Sequence, residues 1–138
     1  MPLDPELVDE TKAWFVKAEQ DPCMADLSLA GKRKLAGMAT YHAQQAAEKS
    51  LKGFLTWHSC TFGKTHNLTA LGEPCWTIDA SLREAIQRAA SLTDYVWKHR
   101  YPGDYADPTH EEAIKVVQLA QVLFSAILSR LPNAVHPY

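Results

Sequence analysis

The sequence has few cysteines and lacks the short motifs that build metal and cofactor sites. Only Cys23, Cys60 and Cys75 occur among 138 residues, and no CxxC pair is present. An odd number without close spacing argues against a disulfide framework and favours a reducing compartment. HExxH, GxSxG and Gly-rich phosphate-binding loops are also missing. We therefore predict no metal site and no cofactor.

An excess of one charge and a long apolar run are missing as well. Lys and Arg total 14 against 16 Asp and Glu, which gives a formal net charge of −2. Nucleic-acid binding would therefore need a local basic patch. No segment approaches the ~20 apolar residues of a membrane span. The acidic start, MPLDPELVDE, lacks the apolar run of a signal peptide. We expect a cytoplasmic protein that does not associate with membranes.

The chain shows no strand-like alternation, whereas apolar residues recur at helical spacing. This pattern predicts an all-α, up-and-down bundle of four to five helices, with residues 1–138 as a single domain. Asp4 and Pro5 are suited to the start of the first helix. Pro22 is expected to kink or restart that helix. The second helix is expected to run from about Lys34 to about His58.

Three sequence features predict where helices begin and end in the second half of the chain. The segment from Thr65 to Leu68 is expected to form a short turn or a helical cap, and Gly72 and Pro74 are expected to end this element. The Ser81–Glu84 segment (SLRE) has the pattern of a capping box, and we expect a helix from there to about residue 100. The Thr109–Glu112 segment (THEE) has the same pattern and predicts the start of the last helix.

The stretch Tyr41–Leu55 (YHAQQAAEKSLKGFL) carries an unusual variety of polar groups for a helix. At about 100° per residue, small and apolar residues fall on one side. The other side receives Tyr41, Gln44, Gln45, Glu48, Lys49 and Lys52, with His42 at the border. Two interpretations are open: a solvated face with a space-filling histidine, or a binding surface.

Basic and aromatic residues are densest in Trp97–Tyr101 (WKHRY), which Tyr105 follows closely. Lys98 and Arg100 could pair with phosphates, and the rings of Tyr101 and Tyr105 could stack on bases. The alternative is a polar helix end whose cations offset the helix dipole.

The run Tyr41–Lys52 (YHAQQAAEKSLK) resembles the signature helix of the HEPN domain family. Three further segments are similar to the family in the same order: Trp14–Asp21, Lys64–Leu68 (KTHNL) and Arg100–Pro102 (RYP). The resemblance covers roughly residues 13–131. It implies a helical bundle, commonly a homodimer, that binds a nucleotide or RNA. Many members are encoded beside a small nucleotidyltransferase, and some such pairs act as toxin and antitoxin.

Several branches of that family are metal-independent ribonucleases, marked by an arginine and, four to six residues later, a histidine. In this sequence nine residues separate Arg100 from His110, and Tyr105 stands where four residues intervene. Because a tyrosine hydroxyl titrates near pH ~10, it is a poor base at neutral pH. An arginine side chain can still bind a phosphate, regardless of which residues follow it in the sequence. Binding is therefore favoured over catalysis.

Three hypotheses follow. The favoured one is a nucleotide- or RNA-binding module, the partner of a nucleotidyltransferase chain. Its predicted binding residues are Tyr41, Gln45, Lys49, Lys52, Lys98, Arg100, Tyr101 and Tyr105. The second is a ribonuclease toxin that uses Arg100 and Tyr105, with His42 or His110 as the base. The third is a scaffold bundle that pairs with another chain and has no small-molecule ligand.

Overall fold

The computed structural model of the protein describes residues 2–92 and 108–138. Within these residues every regular element is helical, so the all-α prediction is confirmed. The α-helices are α1 (Pro5–Ala30), α2 (Ala36–Trp57), α3 (Leu68–Ile78), α4 (Arg83–Ala90) and α5 (His110–Leu128), and two 3₁₀ turns span Ala80–Leu82 and Asn133–Val135. None of the described helices is long and apolar enough to cross a bilayer.

Helix α1 begins as its sequence predicts and runs through Pro22 without a break. The Asp4 side chain accepts a hydrogen bond of 3.0 Å from the Glu6 N–H, and Pro5 takes the first helical position. Pro22 lies inside α1, which continues to Ala30. The expectation that the helix restarts at Pro22 was wrong. Buried residues on both sides of the proline, Ala18 and Ala25, supply packing that offsets the hydrogen bond lost at Pro22.

Helix α2 is the central element of the bundle, because it packs against α1, α3 and α5. Its alanines at 39, 43, 46 and 47 are all buried. Small side chains allow neighbouring helix axes to approach closely. The same holds at Gly53, where an added Cβ would lie 2.7 Å from the Phe15 ring. This close packing surrounds most of α2 and leaves only part of it near solvent.

Helix α3 is longer than the sequence suggested, since it passes through Gly72 and Pro74 to Ile78. Asn67 caps its start: its side-chain oxygen accepts from the N–H groups of Thr69 and Ala70 at 2.9 and 3.1 Å. Leu71 and Cys75 are buried on its inner side. The expected helical cap is therefore confirmed at Asn67. The expected end at Gly72 and Pro74 was wrong, because packing outweighs the two helix breakers.

The start of α4 also differs from its prediction, because Ser81 does not act in a capping box with Glu84. Asp79 accepts the Ser81 N–H at 3.0 Å and the Ser81 hydroxyl, and Arg130 donates to that hydroxyl at 2.9 Å. The Ser81 hydroxyl and then its N–H lower the pKa of Asp79, together with the Arg130 guanidinium. The Asp79 carboxylate thus caps the 3₁₀ turn Ala80–Leu82, which precedes α4.

Helix α5 matches its prediction closely. The Thr109 hydroxyl accepts from the Glu112 N–H, and the Glu112 carboxylate accepts from the Thr109 N–H, at 3.1 and 3.0 Å. This capping box stabilises the helix start by about 1 kcal/mol. The apolar side of the helix is buried throughout: Ala113, Val116, Val117, Ala120, Leu123, Phe124 and Ile127, followed by the buried Leu131 after the helix end. This apolar side anchors α5 against α2 and α4.

Candidate functional site

A buried carboxylate of α1 organises the polar groups at the start of α2. Asp21 is 6% exposed. Its Oδ1 lies 2.9 Å from Nδ1 of His42, and its Oδ2 accepts a hydrogen bond of 2.7 Å from the Lys49 ammonium. A buried charge destabilises a protein unless it is paired. His42 and Lys49 therefore offset the free-energy cost of burying Asp21 at the α1–α2 contact. The pairing fixes the side chains of both partners.

A second buried carboxylate, that of Glu48, lies on α2 itself, about two turns after His42. Glu48 is 3% exposed. Its Oε1 lies 2.6 Å from Nδ1 of His66 and 3.5 Å from the Lys52 ammonium. The Lys52 ammonium also lies 5.7 Å from the centre of the Trp14 ring and 5.9 Å from that of Phe62. Lys52 is thus held by a carboxylate and by two aromatic faces.

A buried amide fixes the backbone beside His66. Gln44 is fully buried, and its Nε2 donates to the His66 carbonyl oxygen at 2.9 Å. Its Oε1 accepts from the Gln45 amide at 3.3 Å. His66 lies in the connection between α2 and α3, where regular structure does not hold the chain. Two side chains of α2 therefore fix both its ring and its backbone.

These contacts define one group, which we call the α2 polar cluster. Its members are Asp21, His42, Gln44, Glu48, Lys49, Lys52 and His66. Two carboxylates of this cluster are paired with its two ammonium groups. The cluster is therefore electrically balanced when both imidazoles are neutral. It is neither a bare basic patch nor a solvated helix face.

The structure changes the interpretation of the polar side of α2. Tyr41, Gln45, Lys49 and Lys52 are half-buried and share one side of the helix, as their spacing predicts. The Tyr41 ring stands edge-on to the His42 imidazole, with ring centres 5.4 Å apart. The idea of a solvated face was wrong, because Gln44 and Glu48 on this side are buried.

The other four predicted binding residues cannot be placed relative to this group. Lys98, Arg100, Tyr101 and Tyr105 fall in residues 93–107, outside the described residues. Their convergence with α2 stays a prediction.

Sequence reasoning missed Asp21, Glu48 and His66 as members of a site. The ring of His66 contacts Glu48 of α2 from the connection between α2 and α3. A signal for Glu48 was present: it follows Ala46 and Ala47 and precedes Leu51, so apolar neighbours flank it around the helix. A helix with small or apolar residues on most sides is buried on most sides.

No three His, Cys, Asp or Glu side chains within residues 2–92 and 108–138 are grouped so that they could hold a metal ion. The α2 polar cluster offers two separate carboxylate–imidazole pairs instead. In such a pair, a proton on Nδ1 is directed at the carboxylate, and Nε2 is left for another partner.

A comparison with protein-family models matches residues 11–131 to the HEPN domain. The chain belongs to the HEPN domain family. The match includes all of the α2 polar cluster and agrees with the helical fold. For this HEPN domain, membership supports a nucleotide- or RNA-related role at the level of the family. Neither the curated proteins nor the solved structures gave a significant match.

Proposed function

We propose that this HEPN domain binds the phosphate of a nucleotide or of RNA at the α2 polar cluster. The observation that carries the proposal is the Asp21 carboxylate, buried at the α1–α2 contact and bonded to both His42 and Lys49. Apolar side chains at these positions would stabilise the helix contact equally well, since a buried ion pair adds little stability over apolar residues of similar size. The arrangement does, however, hold cationic and polar groups in fixed positions for a ligand.

The proposed ligand contacts begin with Lys49. An ammonium group has three donors, and Asp21 accepts one of them at 2.7 Å. A phosphate oxygen can accept another. The half-buried Tyr41 and Gln45, on the same side of α2, add a hydroxyl and an amide. Lys52 contributes positive charge from beside Trp14 and Phe62.

Residues 93–107 are proposed to complete the site. Arg100 would form the bidentate contact to phosphate that a guanidinium favours. Lys98 would add charge, and Tyr101 and Tyr105 would stack on a base. This part of the proposal rests on the basic and aromatic sequence of Trp97–Tyr105 and on the family.

The localisation, the oligomeric state and the partner chain are proposed on the basis of the family alone. We propose that the whole chain acts as one cytoplasmic domain and forms a homodimer. A small nucleotidyltransferase chain would be its partner in a two-component system of the toxin–antitoxin kind.

Titration of a fluorescent single-stranded RNA and of a labelled nucleotide tests the binding function. Arg100→Ala and Lys49→Gln should each weaken binding about tenfold, because each removes a charge-assisted contact. The matched control is Arg88→Gln, since Arg88 is exposed on α4 and pairs only with Glu84 among the described residues. Thermal unfolding of each variant checks its fold. Unchanged affinity in both site variants would refute the proposal.

A second function, metal-independent RNA cleavage, is favoured by one observation. Asp21 holds Nδ1 of His42 at 2.9 Å, an arrangement that orients an imidazole for proton transfer. His42 would act as the base, and Arg100 would stabilise charge on the phosphorus centre, with Tyr105 positioning the substrate. Purified protein should then cleave RNA in excess chelator, and His42→Gln should abolish cleavage. Intact RNA after incubation with the wild type would reject this function.

A further inference from the structure

The charge of the α2 polar cluster poses a problem for anion binding. Its two ammonium groups are already paired with two carboxylates, at 2.7 Å for Lys49–Asp21 and 3.5 Å for Lys52–Glu48. A phosphate that enters this region meets no net positive charge while the imidazoles are neutral. Besides Lys98 and Arg100, which the proposed function brings to the site, a group of the cluster itself has to supply positive charge for the anion.

The two imidazoles are the groups that can do so near neutral pH. Histidine is the side chain whose charge ordinarily changes between pH ~5 and ~8. Both His42 and His66 place Nδ1 against a buried carboxylate. When Nδ1–H is directed at the carboxylate, a protonated ring carries its second proton on Nε2, where it can be donated to an anion.

His66 is the better placed of the two. The His66 side chain is 61% exposed, whereas the side chain of its partner Glu48 is only 4% exposed. The ring therefore combines a fixed orientation with access for a ligand. An exposed histidine that served packing alone would not need a buried carboxylate at its ring and a buried amide at its carbonyl. His42 is more enclosed, at 17% side-chain exposure.

Resting on the proposed function, we propose that His66, oriented by Glu48, is a phosphate ligand of the α2 polar cluster, and that anion binding takes up a proton there. The Nε2–H donates to a phosphate oxygen while Nδ1–H stays on Glu48. His42, held in the same way by Asp21, adds a second and smaller share of the proton uptake. The shared ligand chemistry is a phosphodiester, whether in RNA or in a nucleotide.

The charged neighbours of the two imidazoles, His66 and His42, come from α2, from α1 and from the segment that carries His66. Helix α2 supplies Glu48 in direct contact and Lys52 through that carboxylate. Helix α1 supplies Asp21, which faces His42 and Lys49. The exposed Lys64 lies two residues before His66. Of these groups, Glu48 is the one in direct contact with the His66 ring.

The test measures binding and proton uptake together. The probes are a fluorescent 12-nucleotide oligouridylate without terminal phosphates and 3′,5′-cyclic uridine monophosphate, because their phosphodiesters do not titrate near neutral pH. Affinities are measured at pH 6.0, 6.75 and 7.5 at constant ionic strength. Calorimetry in two buffers of different ionisation enthalpy gives the number of protons bound with the ligand.

Binding should strengthen as pH falls, by at most about tenfold per pH unit for each linked proton. His66→Gln should remove most of the proton uptake and flatten the pH dependence. Glu48→Gln, a change in a positioning residue, should reduce proton uptake while the His66 ring remains. His58→Gln is the matched control, since His58 is an exposed histidine at the other end of α2, with its ring tilted against that of Phe54, and it should change neither quantity.

The outcomes separate the inference from the function on which it rests. Binding that is independent of pH, or that keeps its proton uptake in His66→Gln, overturns the inference and leaves the proposed function intact. Binding of neither probe from pH 6.0 to 7.5 overturns both. Proton-linked binding of only one probe supports the inference and identifies RNA or a free nucleotide as the source of the phosphate.

Discussion

The Lys49 ammonium lies 2.7 Å from the Oδ2 atom of Asp21, a carboxylate buried where α1 crosses α2. The other oxygen of Asp21 contacts His42 at 2.9 Å. One aspartate of α1 therefore fixes two side chains that lie about two turns apart on α2. This contact joins the packing of the two helices to the geometry of the candidate site.

Asp21→Asn should lower the free energy of unfolding by about 1–3 kcal/mol, because Lys49 and His42 lose a buried charged partner. Urea denaturation at pH 7 measures the change. Asp26→Asn is the matched control, since Asp26 is exposed on the same helix, and it should stay within about 0.5 kcal/mol of the wild type. Equal effects of the two substitutions would contradict the structural role given to Asp21.

Gly72→Ala should destabilise the protein by about 1–3 kcal/mol, although alanine is the better helix former. The added Cβ would overlap the Cγ2 atom of Ile86, which would force α3 and α4 apart. At Gly63 an added Cβ meets no heavy atom within 4 Å, so Gly63→Ala serves as the control with little effect. A Gly72→Ala protein as stable as the wild type would show that α3 and α4 are not packed this closely.

Cys75 should resist thiol reagents in the folded protein. It is completely buried, and burial raises the pKa of its thiol to about 12, so little of the reactive thiolate forms. Cys23 is exposed and should react first with an aromatic disulfide reagent at pH 7.5. Cys23→Ser should remove the fast phase, and urea should be needed before Cys75 reacts. Fast modification of Cys75 in the native state would count against the core packing around it.

His58 should make stability depend on pH. His58 is exposed as a residue, but partial burial of its imidazole lowers the pKa, and the Asp79 carboxylate only partly opposes this effect. The unfolded chain therefore takes up the proton first as pH falls through about 6.5. The contribution of His58 to stability is present above that pH and is lost below it, until the folded state is protonated too. His58→Gln should lose less stability than the wild type between pH 7.5 and 5.5, and a greater loss would reverse the predicted sign.

Local signals predicted most of the helices, because the start of a helix and its apolar stripe depend on residues close in sequence. Thr109 and Glu112 show this at the start of α5. The predictions failed where distant contacts decided the outcome. Pro74 stays within α3 because Leu71 and Cys75 pack inward, and Asp79 displaces Ser81 as the cap of the turn before α4.

The candidate site was only half predictable for the same reason. Helical spacing alone placed Tyr41, Gln45, Lys49 and Lys52 on one side of α2. The carboxylate that holds Lys49 comes from α1, 28 residues away in sequence, and its role depends on how the two helices are rotated against each other. Residues close to Lys49 in sequence do not reveal how α1 and α2 are rotated against each other.

Photocrosslinking of a 4-thiouridine oligonucleotide, followed by peptide mapping, tests most directly whether the α2 polar cluster binds phosphate-bearing ligands. We predict crosslinks in α2 between Tyr41 and Lys52, in the connection at His66, and in residues 93–107. Excess unlabelled RNA should suppress them. Crosslinks confined to the outer side of α5, at Gln118, Gln121 and Val122, would contradict the proposed location of the site.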